Sequence, residues 1–441
     1  MDQIATAAFP KERSWGWSLL APLGALVIWG ALIAAAHLSG SGLAAELRER
    51  GVNMKLGAPP LFGRFEVSLP WQVVLPVIVA GVSIAFAARV AHTLSWSRLL
   101  LTSFVISLAW GVSLALADGT LVAPLEARPD YLAALPRIGD IGNFVQTFGE
   151  RLAQWPVHVE GHPPGMVVML WGLARVGLGG PGPAAAVIIA AGSSIAAATL
   201  ITVRSIAGEE PARRAAPFLV LAPFALWLAT SADGLFAGVI AWSIAVFVLA
   251  CEATTKKGIA LGAIAGLLFG CALFFTYGAA PLGLVLVSVA IVKRAVVPSI
   301  AAGAGVLAVA LAWAAAGFWW FDGLAATLAR YGSGVASNRP MSYFVWANLA
   351  AFALALGPAA ALGAAFFRRS RLSWVLGAAA ASLLLADLSG FSKGEVERIW
   401  LPFAPWILIL AAFIPRRLLV PALAGQALLA IALQTFVSLP W

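Results

Sequence analysis

Long apolar runs alternate with short polar loops along the whole chain. Most runs have about the 20 residues that an α-helix needs to cross a bilayer, and periodic strand-like alternation is absent. The pattern therefore predicts about thirteen transmembrane helices joined by loops. We place them at positions 15–38, 71–90, 99–117, 183–203, 215–230, 234–251, 258–275, 280–292, 297–315, 343–367, 372–388, 399–414 and 418–439.

Composition supports this interpretation. Of the 441 residues, 61% are hydrophobic and only 11% are charged, and the mean hydropathy is +0.94. So few charges could not cover the surface of a soluble protein of this length. We expect an all-α polytopic membrane protein in which residues 1–441 form a single transmembrane domain.

The charges predict how the chain is oriented. If the N-terminus is cytoplasmic, the inner loops hold 16 of the 28 Lys and Arg residues but only 5 of the 19 acidic residues. This is the bias that cytoplasmic loops carry. Lys11 and Arg13, ahead of the first span, are typical of a signal anchor. The net charge of +9 therefore reflects topology and indicates no nucleic-acid partner.

The largest predicted outer loop, 118–182, concentrates polar residues that could carry chemistry. Carboxylates gathered on one membrane face suggest general-base catalysis or cation binding, although a solvated loop is the simpler interpretation. Its acidic residues and histidines are Asp118, Glu126, Asp130, Asp140, Glu150, His158, Glu160 and His162.

Two histidines frame the string His158-Val-Glu160-Gly-His162. This spacing differs from the His-Glu-x-x-His pattern that places two metal ligands on one helix face. Pro163 and Pro164 follow, and they favour an extended segment and then a helix start. We expect a helix at 165–179 in the outer membrane interface, and a histidine that contacts an anionic group near its N-terminal end rather than a metal.

Basic residues also collect at the outer boundary. Lys393, Arg398 and Arg339 could clamp a lipid-linked phosphate, since Arg binds phosphate by paired hydrogen bonds. Snorkelling towards lipid headgroups is the alternative. Glu395 and Glu397, in the same loop as Arg398, are further candidates for the site.

Asp233 is a lone carboxylate between two predicted spans, after Ser231. A charge at such a position needs a partner or a water-filled cavity. It is therefore a further candidate for the site.

Three short motifs resemble one family. Asp140-Ile-Gly-Asn-Phe144 precedes His162-Pro-Pro, Ser231-Ala-Asp233 opens a later span, and Arg398-Ile-Trp-Leu-Pro comes late in the chain. Their order and shared outer side resemble the membrane-embedded type C glycosyltransferases (GT-C fold), especially the protein O-mannosyltransferase and aminoarabinose transferase group. The sequence departs from that group in Ile141, where many relatives have a second acid, in Gly165 after the Pro-Pro pair, and in two additional spans before the usual first one.

The resemblance implies inverting transfer of a sugar from a polyprenyl-phosphate donor to a glycan, lipid or protein acceptor. It implies that Asp140 is the base, with Asp130 or Asp118 as alternatives, and that Asp233 positions the acceptor. His162, Lys393 and Arg398 would hold the donor phosphate, whose negative charge grows as it leaves. Some relatives use a divalent metal, although this sequence has no clear ligand set for one.

The same resemblance divides the chain into three regions. Residues 1–98 would be an extra N-terminal helical hairpin region, 99–300 a GT-C-like catalytic module, and 301–441 the C-terminal helices with donor-binding outer loops. The Ala- and Gly-rich composition suggests a bacterial plasma membrane, with the active face outside the cytoplasm.

Two other functions remain open. A lipid or small-solute transporter, or flippase, would predict inverted repeats and broken helices. A non-catalytic membrane scaffold would leave the three outer motifs without a role.

Overall fold

A computed structural model describes residues 20–54, 56–117, 119, 121–229 and 231–439, and only the backbone of 88–91 and 335. The predicted signal anchor around Lys11 and Arg13, and the candidate base Asp118, lie outside these residues.

The described chain is almost entirely helical. A two-residue antiparallel ribbon, β1 (Arg64–Phe65) with β2 (Val437–Ser438), joins the N-terminal region to the C-terminal helix. The α-helices are α1 (Leu20–Glu49), α2 (Val74–Thr93), α3 (Trp96–Ala117), α4 (Ala123–Glu126), α5 (Ile141–Gln146), α6 (Val157–Glu160), α7 (Gly165–Arg175), α8 (Pro181–Ser193), α9 (Ile195–Ala207), α10 (Glu209–Val220), α11 (Asp233–Glu252), α12 (Thr255–Phe275), α13 (Gly283–Lys293), α14 (Val296–Ala315), α15 (Trp320–Ser333), α16 (Met341–Leu356), α17 (Pro358–Ala365), α18 (Leu372–Leu388), α19 (Val396–Ile399), α20 (Ala404–Leu408) and α21 (Leu419–Phe436).

Several of these helices are long and apolar enough to cross a membrane, as an all-α membrane protein requires. Within the described residues there are seven, or eight if the bent pair α16 and α17 is one span. The seven are Leu20–Glu49, Trp96–Ala117, Pro181–Ala207, Asp233–Glu252, Thr255–Phe275, Val296–Ala315 and Arg416–Phe436. Three further predicted spans form shorter apolar helices: Trp71–Ala87, Tyr277–Lys293 and Leu372–Leu388.

Three predicted spans are not single straight helices. In the span predicted at 215–230, α10 ends at Val220, and a 3-10 helix follows at Pro223–Trp227. Proline lacks the N–H donor and keeps the preceding residue extended, which explains the break.

The other two also break at Gly or Pro. Helices α16 and α17 meet at 95° around Gly357, whose φ is +75°. The span predicted at 399–414 consists of short α and 3-10 turns that contain Pro402 and Pro405. All three broken segments are deeply buried, so neighbouring helices rather than lipid surround their irregular backbone.

Small residues bring α12 and α14 into close contact. Side chains at Gly262 and Gly266 would clash with the backbone of Pro298 and Ala302, and one at Gly305 would clash with the backbone of α12. Close approach through small residues is the usual way in which helices pack within membranes.

The ion pairs gather at two separate ends of the molecule. We call one the site end, with the pairs of Asp130, Glu160, Asp233 and Glu395. The other is the basic end, with the pairs of Glu209, Glu210 and Glu252. Among the described residues, the two partners of every ion pair were predicted to lie on the same side of the membrane.

Candidate functional site

The loop after α3 folds so that its acidic and histidine side chains meet. Asp130 precedes a 3-10 helix, Tyr131–Arg137, and His158 lies in α6. The backbone N–H of His158 donates to the carbonyl of Pro129 at 3.0 Å, which holds the two segments together. The Nδ1 atom of His158 is 3.3 Å from Oδ2 of Asp130. Asp130 is 4% exposed, so this is a buried carboxylate–imidazole pair.

Tyr131 lies at the centre of the cluster and was not among the predicted residues. Its ring centroid is 6.0 Å from that of His158, 5.7 Å from that of His162 and 6.4 Å from that of Phe236. The Tyr131 hydroxyl is buried without a hydrogen-bond partner among the described residues. Burial, followed by the charge of Asp233, raises the pKa of Tyr131 well above its usual value, so the phenol stays protonated. Tyr131 is the one tyrosine in the loop, and that signal could have identified it.

His162 occupies the wall of the same cluster. Its Nδ1 lies 2.7 Å from the carbonyl of His158, which places the proton on Nδ1 and leaves Nε2 as an acceptor. Its ring contacts Phe236 at 5.6 Å. Burial lowers the pKa of His162 to about 4, so the imidazole is neutral near pH 7. In these surroundings His162 suits accepting a hydrogen bond better than the predicted contact with an anion.

A buried ion pair joins two distant parts of the chain. Nη1 of Arg398 is 2.5 Å from Oδ2 of Asp233, and both side chains are less than 5% exposed. Asp233 opens α11, where the helix dipole favours a carboxylate, and Ser231 Oγ lies 3.2 Å from the same oxygen. Both charged residues were candidates from the sequence, but their pairing was not predicted.

The ion pair continues into a chain of alternating charges. Glu395 Oε2 is 3.6 Å from Nη2 of Arg398, and Glu395 Oε1 is 3.2 Å from Nη2 of Arg339. Glu395 has a φ of +64°, a left-handed conformation that costs a non-glycine residue about 1–3 kcal/mol. The alternating charges compensate one another, which permits their burial.

Arg339 and Lys393 tie loops together. Arg339 donates to the carbonyls of Lys393 and Met54, at 2.5 and 3.3 Å. Nζ of Lys393 donates to the carbonyl of Ala336 at 3.1 Å. The phosphate contacts predicted for these two residues stay predictions.

Two further candidates form contacts around the cluster. Glu397 is fully buried, and Oε1 accepts the Phe62 N–H at 2.8 Å. Its Oε2 has no hydrogen-bond partner among the described residues, and burial raises the pKa of Glu397 to about 7. Glu160 pairs with Arg330 Nε at 2.8 Å, which links the loop to α15.

Asp140, the predicted base, caps a short helix. Its Oδ1 accepts the N–H of Asn143 at 2.7 Å at the start of α5, and its side chain is exposed. Its role as the base stays a prediction.

The predicted helix after the Pro-Pro pair is confirmed as α7, which begins at Gly165. A side chain at Gly165 would clash with the carbonyl of Phe274. The first turn of α7 therefore packs against the end of α12, and its N-terminus is enclosed.

The described residues do not form a recognisable metal site. Among them, no three His, Cys, Asp or Glu side chains are grouped closely enough to hold an ion. The site end instead offers a buried carboxylate–imidazole pair, a buried guanidinium, a neutral histidine and a phenol. These groups suit proton transfer beside an anionic leaving group.

The chain matches no family model, no curated protein and no solved structure.

Proposed function

We propose that the protein is a GT-C-like membrane glycosyltransferase, which moves a sugar with inversion from a polyprenyl-phosphate donor to an acceptor hydroxyl. One observation gives the main support for this proposal. Three segments that are far apart in sequence, one with Asp130 and His162, one with Asp233 and one with Arg398, meet in one buried polar cluster. The ring contacts of Tyr131 and the 2.5 Å pair of Asp233 with Arg398 join them.

The groups of the cluster match the steps of such a reaction. The acceptor oxygen attacks the anomeric carbon, and the bond between that carbon and the phosphate oxygen breaks. The acceptor proton passes to the Asp130–His158 pair, which is buried and preorganised, whereas Asp140 is exposed. Arg398 stabilises the charge that grows on the departing phosphate, while Asp233 holds the guanidinium in place.

The finer topology belongs to the same proposal. We place the N-terminus and the basic end in the cytoplasm and the site end outside a bacterial plasma membrane, with about thirteen crossings. The positive-inside rule and the separation of the ion pairs into two ends support this orientation. The broken segments count as crossings because other helices shield their backbone.

The test is sugar transfer by the purified protein in lipid, from a panel of radiolabelled polyprenyl-phosphate sugars. Asp130→Asn and Asp140→Asn are measured beside the wild type. Asn also caps helices well, so Asp140→Asn preserves the cap of α5 and reports on chemistry alone. We expect transfer by the wild type and by Asp140→Asn, and a large loss in Asp130→Asn.

The two variants separate the class of enzyme from the identity of the base. If only Asp140→Asn loses transfer, the class stands and Asp140 is the base. If the wild type neither transfers nor hydrolyses any donor, the transferase proposal fails.

A lipid or solute transporter is the second candidate. The 95° bend between α16 and α17 favours it, because broken helices form the substrate sites of many transporters. Flux of labelled lipid or solute in vesicles, in a protein without transferase activity, would support this alternative.

A further inference from the structure

An apolar groove runs along the outside of the helix bundle, away from the site end. Helices α12, α13 and α14 form it, with Phe247 of α11 at its base, and its volume is about 580 Å³. The small residue Gly303 leaves the space open, because a Cβ there would touch nothing within 4 Å. A groove of this size and lining suits hydrocarbon chains.

The groove covers about half of a bilayer. It follows α13 from Gly283 to Arg294, a distance of about 16 Å at a helical rise of about 1.5 Å per residue. The hydrocarbon core of a bilayer is about 30 Å thick. The groove therefore matches the depth of one leaflet, at the basic end of the molecule.

Its end at the membrane surface carries a positive charge. Arg294 lines the groove just past the end of α13, in a left-handed conformation with a φ of +50°. The neighbouring Lys293 is neutralised by Glu252 at 2.7 Å. In the described part of the chain no carboxylate forms an ion pair with Arg294, so its charge is available to an external anion.

We propose that this groove binds one anionic phospholipid of the leaflet at the basic end. The lipid phosphate contacts the Arg294 guanidinium, and the acyl chains lie along Leu286, Ala290 and Ile300. The lipid site does not depend on the proposed reaction.

Lipid binding to the purified, delipidated chain tests this site directly. Phosphatidylglycerol and phosphatidylcholine are titrated separately, and bound lipid is counted by native mass spectrometry, with thermal shift as a second readout. We expect one phosphatidylglycerol to bind at least about tenfold more tightly than phosphatidylcholine, because phosphatidylglycerol has a net negative charge, whereas the choline cation of phosphatidylcholine offsets the attraction of its phosphate to Arg294. Equal affinities in the wild type would overturn the proposal.

Two variants and two controls locate the site. Arg294→Gln should remove the preference for phosphatidylglycerol, whereas Lys256→Gln, which changes a charge in α12 outside the groove, should keep it. Gly303→Leu should fill the groove and abolish tight binding of both lipids. Gly30→Leu, also on an open helix face, should bind like the wild type. Normal tight binding by Gly303→Leu, or a persistent preference in Arg294→Gln, would show that the lipid binds elsewhere.

Discussion

The two polar ends of the molecule differ in how exposed their ion pairs are. At the site end the side chains of Arg398 and Asp233 are 4% and 3% exposed, whereas at the basic end those of Arg416 and Glu210 are 59% and 47% exposed. Exposed pairs contribute about 0–1 kcal/mol and are screened by solvent. Buried charges are costly to desolvate and are tolerated only with well-placed partners.

The site end also keeps polar groups that its own fold does not satisfy. The Tyr131 hydroxyl and Glu397 Oε2 lack hydrogen-bond partners among the described residues. At the basic end, by contrast, Arg213 and Lys293 each bond to both a carboxylate and a carbonyl oxygen. Buried polar groups without partners in the fold call for an explanation, and a bound ligand is one. This difference supports the proposal that the site end binds the substrate.

Removing one buried charge should give the largest difference between the ends. In Arg398→Gln, Asp233 remains buried without its cation, which costs about 3–5 kcal/mol, and transfer should fall at least about 100-fold. Arg416→Gln at the basic end should change the free energy of unfolding by at most about 1 kcal/mol. Thermal unfolding in detergent and the transfer rate measure both effects. Equal destabilisation by the two variants would remove the distinction between the ends.

The transfer rate should also differ between variants of a carboxylate at each end, Asp130 in the Asp130–His158 pair and Glu210. Asp130→Asn should slow transfer by about 10²–10⁴-fold, the usual contribution of a general base. Glu210→Gln, which removes an exposed carboxylate at the basic end, should leave the transfer rate within a factor of about two, because such pairs contribute little. A similar loss in both variants would point to a general effect of charge on the fold.

The variant Tyr131→Phe tests the role of one buried hydroxyl that has no hydrogen-bond partner among the described residues. The variant keeps the ring contacts with His158, His162 and Phe236, and it removes only Oη. We expect transfer to fall about tenfold, as the loss of one hydrogen bond predicts, while the melting temperature stays equal or rises. If instead stability falls and the transfer rate is unchanged, the hydroxyl serves the fold and not the substrate.

A pH dependence of the free energy of unfolding is expected from Glu397. Its pKa of about 7 in the folded protein exceeds the usual 4.5, so folding favours the protonated acid. The resulting stability is complete below about pH 4.5 and is lost as the pH rises through 7, at about 1.4 kcal/mol per pKa unit.

Glu397→Gln should remove this loss of stability, because the amide can still accept the Phe62 N–H. Melting temperatures between pH 4.5 and 8 should therefore converge at low pH and favour the variant at high pH. Because the pKa of His162 is lowered to about 4, His162 makes stability rise with pH, opposite to Glu397. Both proteins contain His162, so its contribution cancels when their melting curves are compared. Parallel curves for the two proteins would contradict this account of Glu397.

Length and apolar composition were enough to predict the straight helices. The predicted spans 99–117, 234–251, 258–275 and 297–315 correspond to α3, α11, α12 and α14 within a few residues. The breaks within 215–230, 343–367 and 399–414 were not predicted, because those segments are as apolar as the unbroken spans. Gly357-Pro358 and Pro223 were visible signals, since both residue types interrupt helices.

The site was only partly accessible from sequence. Asp233 and Arg398 stood out as charges among apolar spans, but no local pattern could pair residues 165 positions apart. Tyr131, the one tyrosine in the loop, could have been a candidate from sequence, but its position at the centre of the cluster depends on how the loop folds. The hydrogen bonds of Arg339 and Lys393 to carbonyl oxygens depend on loop folding, so the sequence could not predict them. The phosphate contacts of both residues stay predictions.

The most direct test of this site is the transfer rate of a variant that replaces the whole buried pair, Asp233→Leu with Arg398→Met. Exchanging a buried ion pair for apolar residues of similar volume is often neutral or stabilising, so this variant should fold and melt close to the wild type. We predict that it transfers sugar from a polyprenyl-phosphate donor at least about 100-fold more slowly than the wild type. Transfer at the wild-type rate by the folded variant would contradict the assignment of the site to this cluster.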